Sequence, residues 1–506
     1  MKIKRVKHFC FFSVFFCLVY ATLPTQEKIK APSLTNLRTI VGEMMKDWKI
    51  PGLGIALVKG GKVLLAEGFG LRNVERNLKV TPQTLFPIAS CTKTFTAVSI
   101  AALVDGGKLK WDVPVREYVP AINLSDDYAG SHITIRDLLA HRSGLPQHYL
   151  MYFNRQLSRE EIMERLRFLE PSRGFRETFQ YSNLNYMIAA YILEKTTGKA
   201  WEDFVRENIL NPLEMLSSNF SVSESRKSSD YAIPYIEEKG TVRETSFLEP
   251  DKMGMGPAGS INSSARDMAN WLLFNLNKGK FKDRQVISET ALNETQKPQI
   301  VLPGNVSDEM FYSCYGMGWA ITSYRGHLLL GHGGGFNGFS CYVSILPRVN
   351  IGIAILCNLE GSPVPQTLAR IICDRLLLLP EIPWNERTKK SWTKAATSAV
   401  KAEELSSQET KPPRPFEDYC GEFEHPAYGI LSVNNEQGRL SASFHGIASP
   451  LAHLFSDVFQ TRDEVFGNFK FFFVADENGA IDGVAVPFEP AVGKIMFKRI
   501  PKKNEP

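Results

Sequence analysis

The sequence predicts an α/β domain followed by a smaller all-β unit, and three observations carry that prediction. Strand-like runs lie near residues 52–70 and 327–358, with helical patterns filling most of the interval between them. That arrangement suggests one sheet assembled from distant segments, with a helical lobe inserted. Around residues 380–415 the composition turns polar, charged and Ala-rich, and closes with Pro412, Pro413 and Pro415. Residues 416–500 then alternate short apolar-aromatic runs with turn-forming stretches, the pattern of a barrel or sandwich.

In chain order, the first 21 residues read as a secretory leader. Lys2, Lys4, Arg5 and Lys7 precede the apolar stretch Phe9–Ala21, with Val19 and Ala21 at the small-residue positions. The stretch is too short to span a bilayer, so a secreted or periplasmic chain without a membrane span is expected once the leader is cleaved. Leu34, Leu37, Val41, Met44, Met45 and Trp48 recur at helical spacing behind Ser33 as a candidate N-cap. GLGIALVKG and GKVLLAEGFG read as two strands joined at Gly60-Gly61. SCTKTFTAVSIAALVDGG and LNYMIAAYILEKTTGK read as helices, and HLLLG, FSCYVSILP and NIGIAILCN as neighbouring strands. The domain expected over residues 22–379 is followed by a linker over 380–415, read as a solvated helix leading into a stiff Pro segment. Residues 416–506 form the β unit.

The formal charge of +5 is mostly the leader's, and the remainder stands near +1. No Lys/Arg-rich patch interleaved with aromatics occurs elsewhere, so nucleic acid is not an expected partner. Six cysteines follow the leader, at positions 91, 314, 341, 357, 373 and 420, with no C-x-x-C pair. Neither a zinc site nor a dense disulfide framework is indicated, and Cys341 with Cys357 is a candidate bridge that sequence cannot assign. Asn123 and Asn293 begin N-x-S/T triplets.

Three motifs carry chemistry. Ser90-Cys91-Thr92-Lys93 opens a helix and sets Ser90 and Lys93 on one face, where a Lys amine of depressed pKa could activate the hydroxyl. The helix N-terminus also offers free N–H groups to an oxyanion. Taken alone the pattern is common, and a second S-x-x-K stands at Ser391–Lys394 in the polar linker. Tyr181-Ser182-Asn183 precedes an apolar helix, and it pairs a hydroxyl able to relay a proton with an amide able to hold a Lys or a carbonyl. His332-Gly333-Gly334-Gly335 follows HLLLG, and its glycines let another backbone lie close to a strand, with Gly335 a candidate second oxyanion donor.

In that order and spacing, the motifs resemble the serine β-lactamase and penicillin-recognising family, and within it the class C β-lactamase-like branch. LFPIASCTKTFTA, GKLKWDVPVREYVP, HITIRDLLAHRSGLP, NPLEML, PAGSINSSARDMANW and YGMGWAI look like that branch too, so the likeness covers about residues 33–375. The C-terminal unit is similar to the lipocalin-like barrel appended to some members. The resemblance implies a transpeptidase-like domain with an antiparallel sheet flanked by helices. It implies Ser90 as nucleophile, Lys93 and Tyr181 as proton carriers, and Asn183 on substrate and Lys93. The HGGG segment (His332, Gly333, Gly334, Gly335) would bind substrate, with the oxyanion between the N–H groups of Ser90 and Gly335. His332 stands where β-lactamases carry a Lys, and histidine supplies only a conditional charge, which argues against efficient β-lactam hydrolysis. His141 belongs to a structural signature and is not expected to bind metal.

The expected function is therefore a serine hydrolase of amide or ester bonds, a D-amino-acid peptidase, a carboxypeptidase or an esterase, with neither cofactor nor metal. A sensor of penicillin or peptidoglycan fragments with little turnover, and a β-lactamase, are the alternatives. Substrates would be small molecules or peptides, and a homo-oligomer is left open. Phe471-Phe472-Phe473 raises a ligand-carrying role for the barrel, set against plain core filling or a cover over the cleft.

Overall fold

The structure, a computed structural model, describes residues 34–403, 411–461 and 467–501, apart from positions 154, 250 and 305. The leader lies outside these residues. Among the described residues no helix is long and apolar enough to cross a membrane.

Helix α1 (Leu37–Asp47) leads into β1 (Gly52–Lys59), and a tight turn returns the chain as β2 (Lys62–Asn73), followed by β3 (Leu78–Lys79). Gly60 and Gly61 take φ of 58° and 73° in that turn. Positive φ at both central residues matches the twist of a two-residue hairpin, and glycine adopts it without a Cβ clash. Helix α2 (Thr92–Asp105) opens the lobe, short helices occupy residues 127–168, and α3 (Asn183–Thr197) and α4 (Ala265–Leu276) follow. Strands β4 (Ile300–Val301), β5 (Met310–Tyr315), β6 (Ala320–Tyr324), β7 (His327–Phe336), β8 (Phe339–Leu346) and β9 (Ile351–Cys357) complete the sheet. Its nine strands are all antiparallel, in the order β4-β5-β6-β7-β8-β9-β1-β2-β3. The expected junction of distant segments is the β1–β9 pair, where Ile55 faces Ile355.

Alternation along the strands builds two apolar layers. Leu53, Ile55, Leu57, Ile353 and Ile355 pack with α1 and with α5 (Val364–Leu376). Ala56, Val58, Ala354 and Leu356 face α4 and the lobe. Both faces being covered, β1 and β9 read as continuous apolar runs although the sheet is antiparallel. The sequence missed β5 and β6, because MFYSCY and AITSY are short and half exposed.

The segment after residue 380 is only partly a solvated linker. Helix α6 (Trp384–Glu403) begins with Trp384, 5% exposed, whose Nε1–H donates to Asp374 Oδ2 at 2.8 Å. Trp48 Nε1–H donates to Asn385 Oδ1 at 2.7 Å, and the Trp48 ring meets Trp392 edge-on. Two tryptophans thus bind the start of this helix to the large domain.

The C-terminal unit is a closed antiparallel barrel rather than a sandwich. Its strands are β10 (Gly421–His425), β11 (Gly429–Glu436), β12 (Arg439–Phe444), β13 (Ile447–Phe455), β14 (Val458–Thr461), β15 (Lys470–Ala475), β16 (Ile481–Glu489) and β17 (Gly493–Arg499). Pairing of Phe423 with Arg499 closes it. Phe423, Phe459, Phe471, Phe473, Phe488 and Phe497 are buried against one another inside, while Phe472 points out beneath Lys494. Phe471 and Phe473 of the aromatic run therefore fill the core. All six described cysteines are free. Cys341 and Cys357 sit on neighbouring strands but on opposite faces, Cys341 bonded to Pro87 O and Cys357 packed on the α1–α5 side, so the suggested bridge does not form.

Candidate active site

Ser90 stands in a short 3-10 turn, Ala89–Cys91, that runs directly into α2. Ala89 before it holds φ of 46°, a left-handed conformation that costs a residue with a Cβ about 1 kcal/mol or more. Every residue of α2 from Thr92 to Ala101 is buried. A helix apolar all round belongs between layers, and α2 lies between the lobe and the sheet. Its N-terminus faces the end of β7, and Cys91 Sγ donates to His332 O.

Lys93 is wholly buried, and its amine reaches three acceptors: Asn183 Oδ1 at 2.7 Å, Ala258 O at 2.9 Å and Ser90 Oγ at 3.2 Å. None of these carries a charge. Loss of water without a counter-ion holds the Lys93 amine well below its ordinary pKa, which favours the neutral base. Tyr181 donates its hydroxyl to Ser90 Oγ at 2.9 Å. Burial pushes the Tyr181 phenol above its usual range, so it stays protonated. The two shifts run in opposite directions, toward a free-base amine and a protonated phenol beside the same serine oxygen.

Asn183 opens α3, with Ser182 in the N-cap position. The Asn183 backbone N–H donates to Gln147 Oε1 at 3.2 Å, and Nδ2 lies 3.4 Å from Tyr152 Oη. His141 lies fully buried beneath this turn, its Nδ1 accepting Ser182 N–H at 3.1 Å and its ring 4.4 Å from that of Tyr181. A histidine doing that work is structural, as the sequence suggests.

Ser90, Tyr181, Asn183 and Gly335 line one cavity of about 450 Å³, together with Gln147, Tyr149, Phe336, Asn337 and Glu360. His332 and Gly333 line a neighbouring cavity instead. Gly334 packs on the turn before Ser90: a Cβ there would stand 2.2 Å from Ile88 O. The glycine run thus brings β7 against the backbone just before Ser90, and Gly335 is its member at the Ser90 cavity.

His332 is held from both sides. Nδ1 lies 2.6 Å from Gly333 O, and Nε2 lies 2.9 Å from Tyr315 Oη. A carbonyl only accepts, so the proton is on Nδ1 and Tyr315 donates to Nε2. Burial and the nearby Lys93 lower the His332 pKa to about 4, which leaves it uncharged at neutral pH. The conditional charge expected from the sequence is therefore absent at pH 7, and both ring nitrogens are already engaged.

The barrel supports the wall of the site. His148, at φ 42°, donates its backbone N–H to Glu489 Oε2 at 2.7 Å. Tyr428 bonds its Nδ1 at 2.8 Å, and Nε2 meets Glu170 O at 2.8 Å. His148 lies between Gln147 and Tyr149, two lining residues, so barrel side chains fix a loop of the cleft. Arg165 donates to Pro426 O and Ala427 O, and His445 Nδ1 lies 3.0 Å from Phe153 O.

The family model described as Beta-lactamase matches residues 37–373, two thirds of the chain. The chain belongs to the beta-lactamase family. It is thus one of the serine hydrolases of the beta-lactamase fold, with a closed eight-stranded barrel appended. Residues 405–499 match a second model, described as a domain of unknown function (DUF3471). Among curated relatives, "Unguisins hydrolase ungD'" of Aspergillus campestris is 29% identical over 91% of each chain. "Protein flp" of Staphylococcus aureus is 29% identical over 67% of this chain and 66% of its own. An octameric penicillin-binding protein homologue from Pyrococcus abyssi superposes with a TM-score of 0.62 at 26% identity, covering 92% of this chain and 100% of its own. A penicillin-binding protein from Bacillus halodurans shares the fold, with a TM-score of 0.54 at 20% identity over 67% of this chain and 99% of its own.

Motif reading found the beta-lactamase-family cluster of Ser90, Lys93, Tyr181 and Asn183, which the fold brings together from positions about 90 residues apart. It missed Tyr315, the Ala258 carbonyl and Glu360. Tyr315 lies in the YGMGWAI signature and Ala258 in PAGS, so the segments were visible although the roles were not. A backbone acceptor has no side-chain signal, and Glu360 reaches the cavity only because β9 returns beside β8.

Proposed function

We propose that the chain hydrolyses amide or ester bonds through an acyl-enzyme on Ser90. The observation that carries this reading is the placement of Lys93 Nζ and Tyr181 Oη on one serine oxygen, at 3.2 Å and 2.9 Å. Ser90 Oγ would attack the carbonyl carbon while its proton passes to the neutral Lys93 amine. The oxyanion would form between the N–H groups of Ser90 and Gly335. As the bond to the leaving group breaks, the proton would return through Tyr181 to the departing nitrogen or oxygen. Water would then cleave the acyl ester by the reverse relay, with Asn183 holding Lys93 and the substrate carbonyl group.

The cavity's charge narrows the substrate class. Its lining includes the Glu360 carboxylate but no arginine or lysine, and burial holds the neighbouring Lys93 amine well below its ordinary pKa. His332 supplies no positive charge either. A substrate with a carboxylate beside the scissile bond would be repelled, whereas an amine-bearing or uncharged one would fit. This favours aminoacyl amides and esters over carboxypeptidase substrates and β-lactams. The hydrolase name of the Aspergillus relative supports turnover rather than sensing. The octameric Pyrococcus homologue supports a homo-oligomer, which light scattering would measure.

The test is a hydrolysis panel of D-aminoacyl amides, D-Ala-D-Ala peptides, p-nitrophenyl esters and a chromogenic cephalosporin, with fluorophosphonate labelling mapped by mass spectrometry. Amides or esters should turn over, the cephalosporin should be poor, and the label should fall on Ser90. A folded Ser90→Ala protein with full activity would overturn the mechanism.

A further inference from the structure

A second cavity, of about 310 Å³, lies on the sheet face that α1 and α5 cover, between strands β5–β8 and α5. Its volume is at the lower end of the range of about 300–1,000 Å³ for small-molecule pockets. The cause of the void is local. Leu329, Gly331 and Gly333 alternate onto this face of β7, and the two glycines place no side chain there. Tyr342 folds across one of them, with its hydroxyl 2.3 Å from where a Cβ of residue 331 would stand. The remaining wall is mostly apolar, with Phe179, Leu302, Met310, Leu329, Ala369 and Cys373.

Two polar groups in this mostly apolar wall, Ser344 and Arg370, lack a polar or charged side-chain partner of their own among the described residues. Ser344 is fully buried and lines the cavity, and its Oγ has no hydrogen-bond partner among the described residues. A buried hydroxyl left unpaired is destabilising, and a bound polar group would relieve that cost. Arg370 on α5 also lines the cavity. Its guanidinium rests 5.2 Å from the Trp384 ring centroid and 3.9 Å from Met310 Sγ. Among the described residues no carboxylate lies within ion-pair distance of it, although its neighbour Arg325 is paired with Asp374. The exposed side chain of Gln366 stands at the solvent side.

We propose that this cavity binds a monocarboxylate with an apolar chain, the carboxylate on Arg370 and the chain along Leu329, Met310 and Phe179. Guanidinium matches a carboxylate in shape and charge, and the half-buried setting strengthens the pair. The cavity shares no lining residue with the Ser90 cavity, so the proposal stands whether or not Ser90 turns substrate over.

Isothermal titration of the full chain with decanoate tests it, with decan-1-ol as the uncharged comparison. One saturable decanoate site is expected, unchanged in Ser90→Ala. Arg370→Gln should weaken decanoate at least tenfold while leaving decan-1-ol affinity and fluorophosphonate labelling of Ser90 as in the parent. Ala369→Leu, which fills the cavity, should remove both ligands. Absence of saturable decanoate binding, an Arg370→Gln protein that binds as the parent does, or loss of binding in Ser90→Ala would each overturn the proposal. The labelling readout separates a misfolded variant from a lost site, and it separates failure here from failure of the Ser90 mechanism.

Discussion

Replacing Lys93 with Met and Tyr181 with Phe, singly and together, asks which group takes the first proton. Lys93→Met keeps a long apolar stem in a fully buried site and removes a donor shared by three acceptors. Asn183 Oδ1 and Ala258 O would then be buried without it, at about 1–3 kcal/mol each, so stability should fall by about 2–6 kcal/mol. Tyr181→Phe removes one bond to Ser90 Oγ and should cost about 1 kcal/mol. The kinetic losses should each be about 10²- to 10⁴-fold in acylation, the usual contribution of a positioned proton carrier. Because both act on one serine oxygen, the double variant should be little slower than the worse single one. The assay is stopped-flow acylation by an activated ester across pH, beside chemical denaturation of each protein. The wild-type rate should rise with pH as the Lys93 amine deprotonates, Tyr181→Phe should keep that rise, and Lys93→Met should lose it. Loss of the rise in Tyr181→Phe with its retention in Lys93→Met would refute Lys93 as the base. Additive losses in the double variant would refute a shared relay.

Other expectations follow from the same contacts. His332, His425 and His445 are each held near pKa 4 by burial, below the usual 6.5, so the unfolded chain binds more protons between those values. Stability present above pH 6.5 should therefore fall as pH drops toward 4, on the order of 3 kcal/mol for fully buried His332, as thermal melts across pH would measure. Gly334→Ala would drive a Cβ to 2.2 Å from Ile88 O and should slow acylation and cost about 1–3 kcal/mol, checked by labelling rate and denaturation. Glu489→Ala frees the His148 N–H and should cost about 1–3 kcal/mol and lower kcat; an unchanged kcat would show that the barrel contact does not order the Gln147 loop. Glu360→Gln should raise KM for amine-bearing amides more than for neutral p-nitrophenyl esters, as steady-state kinetics on both would show.

How far the sequence could be read depended on the range of the interaction. The Gly60-Gly61 hairpin, α2 and α3 follow from local chemistry: turn glycines, unbroken apolar runs, and a polar turn ahead of a helix. The polar stretch after residue 380 misled in one respect, because Trp384 and Trp48 hold the start of its helix through partners over 300 residues apart in the case of Trp48 and Asn385. Strands β5 and β6 escaped because an edge-side strand with one wet face carries little periodic signal.

The α/β layering, the all-β character of the C-terminal unit and the candidate cluster of Ser90, Lys93, Tyr181 and Asn183 were legible in the sequence, since spacing and polarity within short segments are enough to specify them. Tertiary structure alone decided the rest. It separated His332 and Gly333 from the Ser90 cavity, filled the barrel with its own phenylalanines, and set Glu489 and Tyr428 behind the Gln147–Tyr149 loop of the cleft. It also lowered the pKa of both Lys93 and His332, because a pKa depends on the water and counter-ions that folding takes away, and no motif records those.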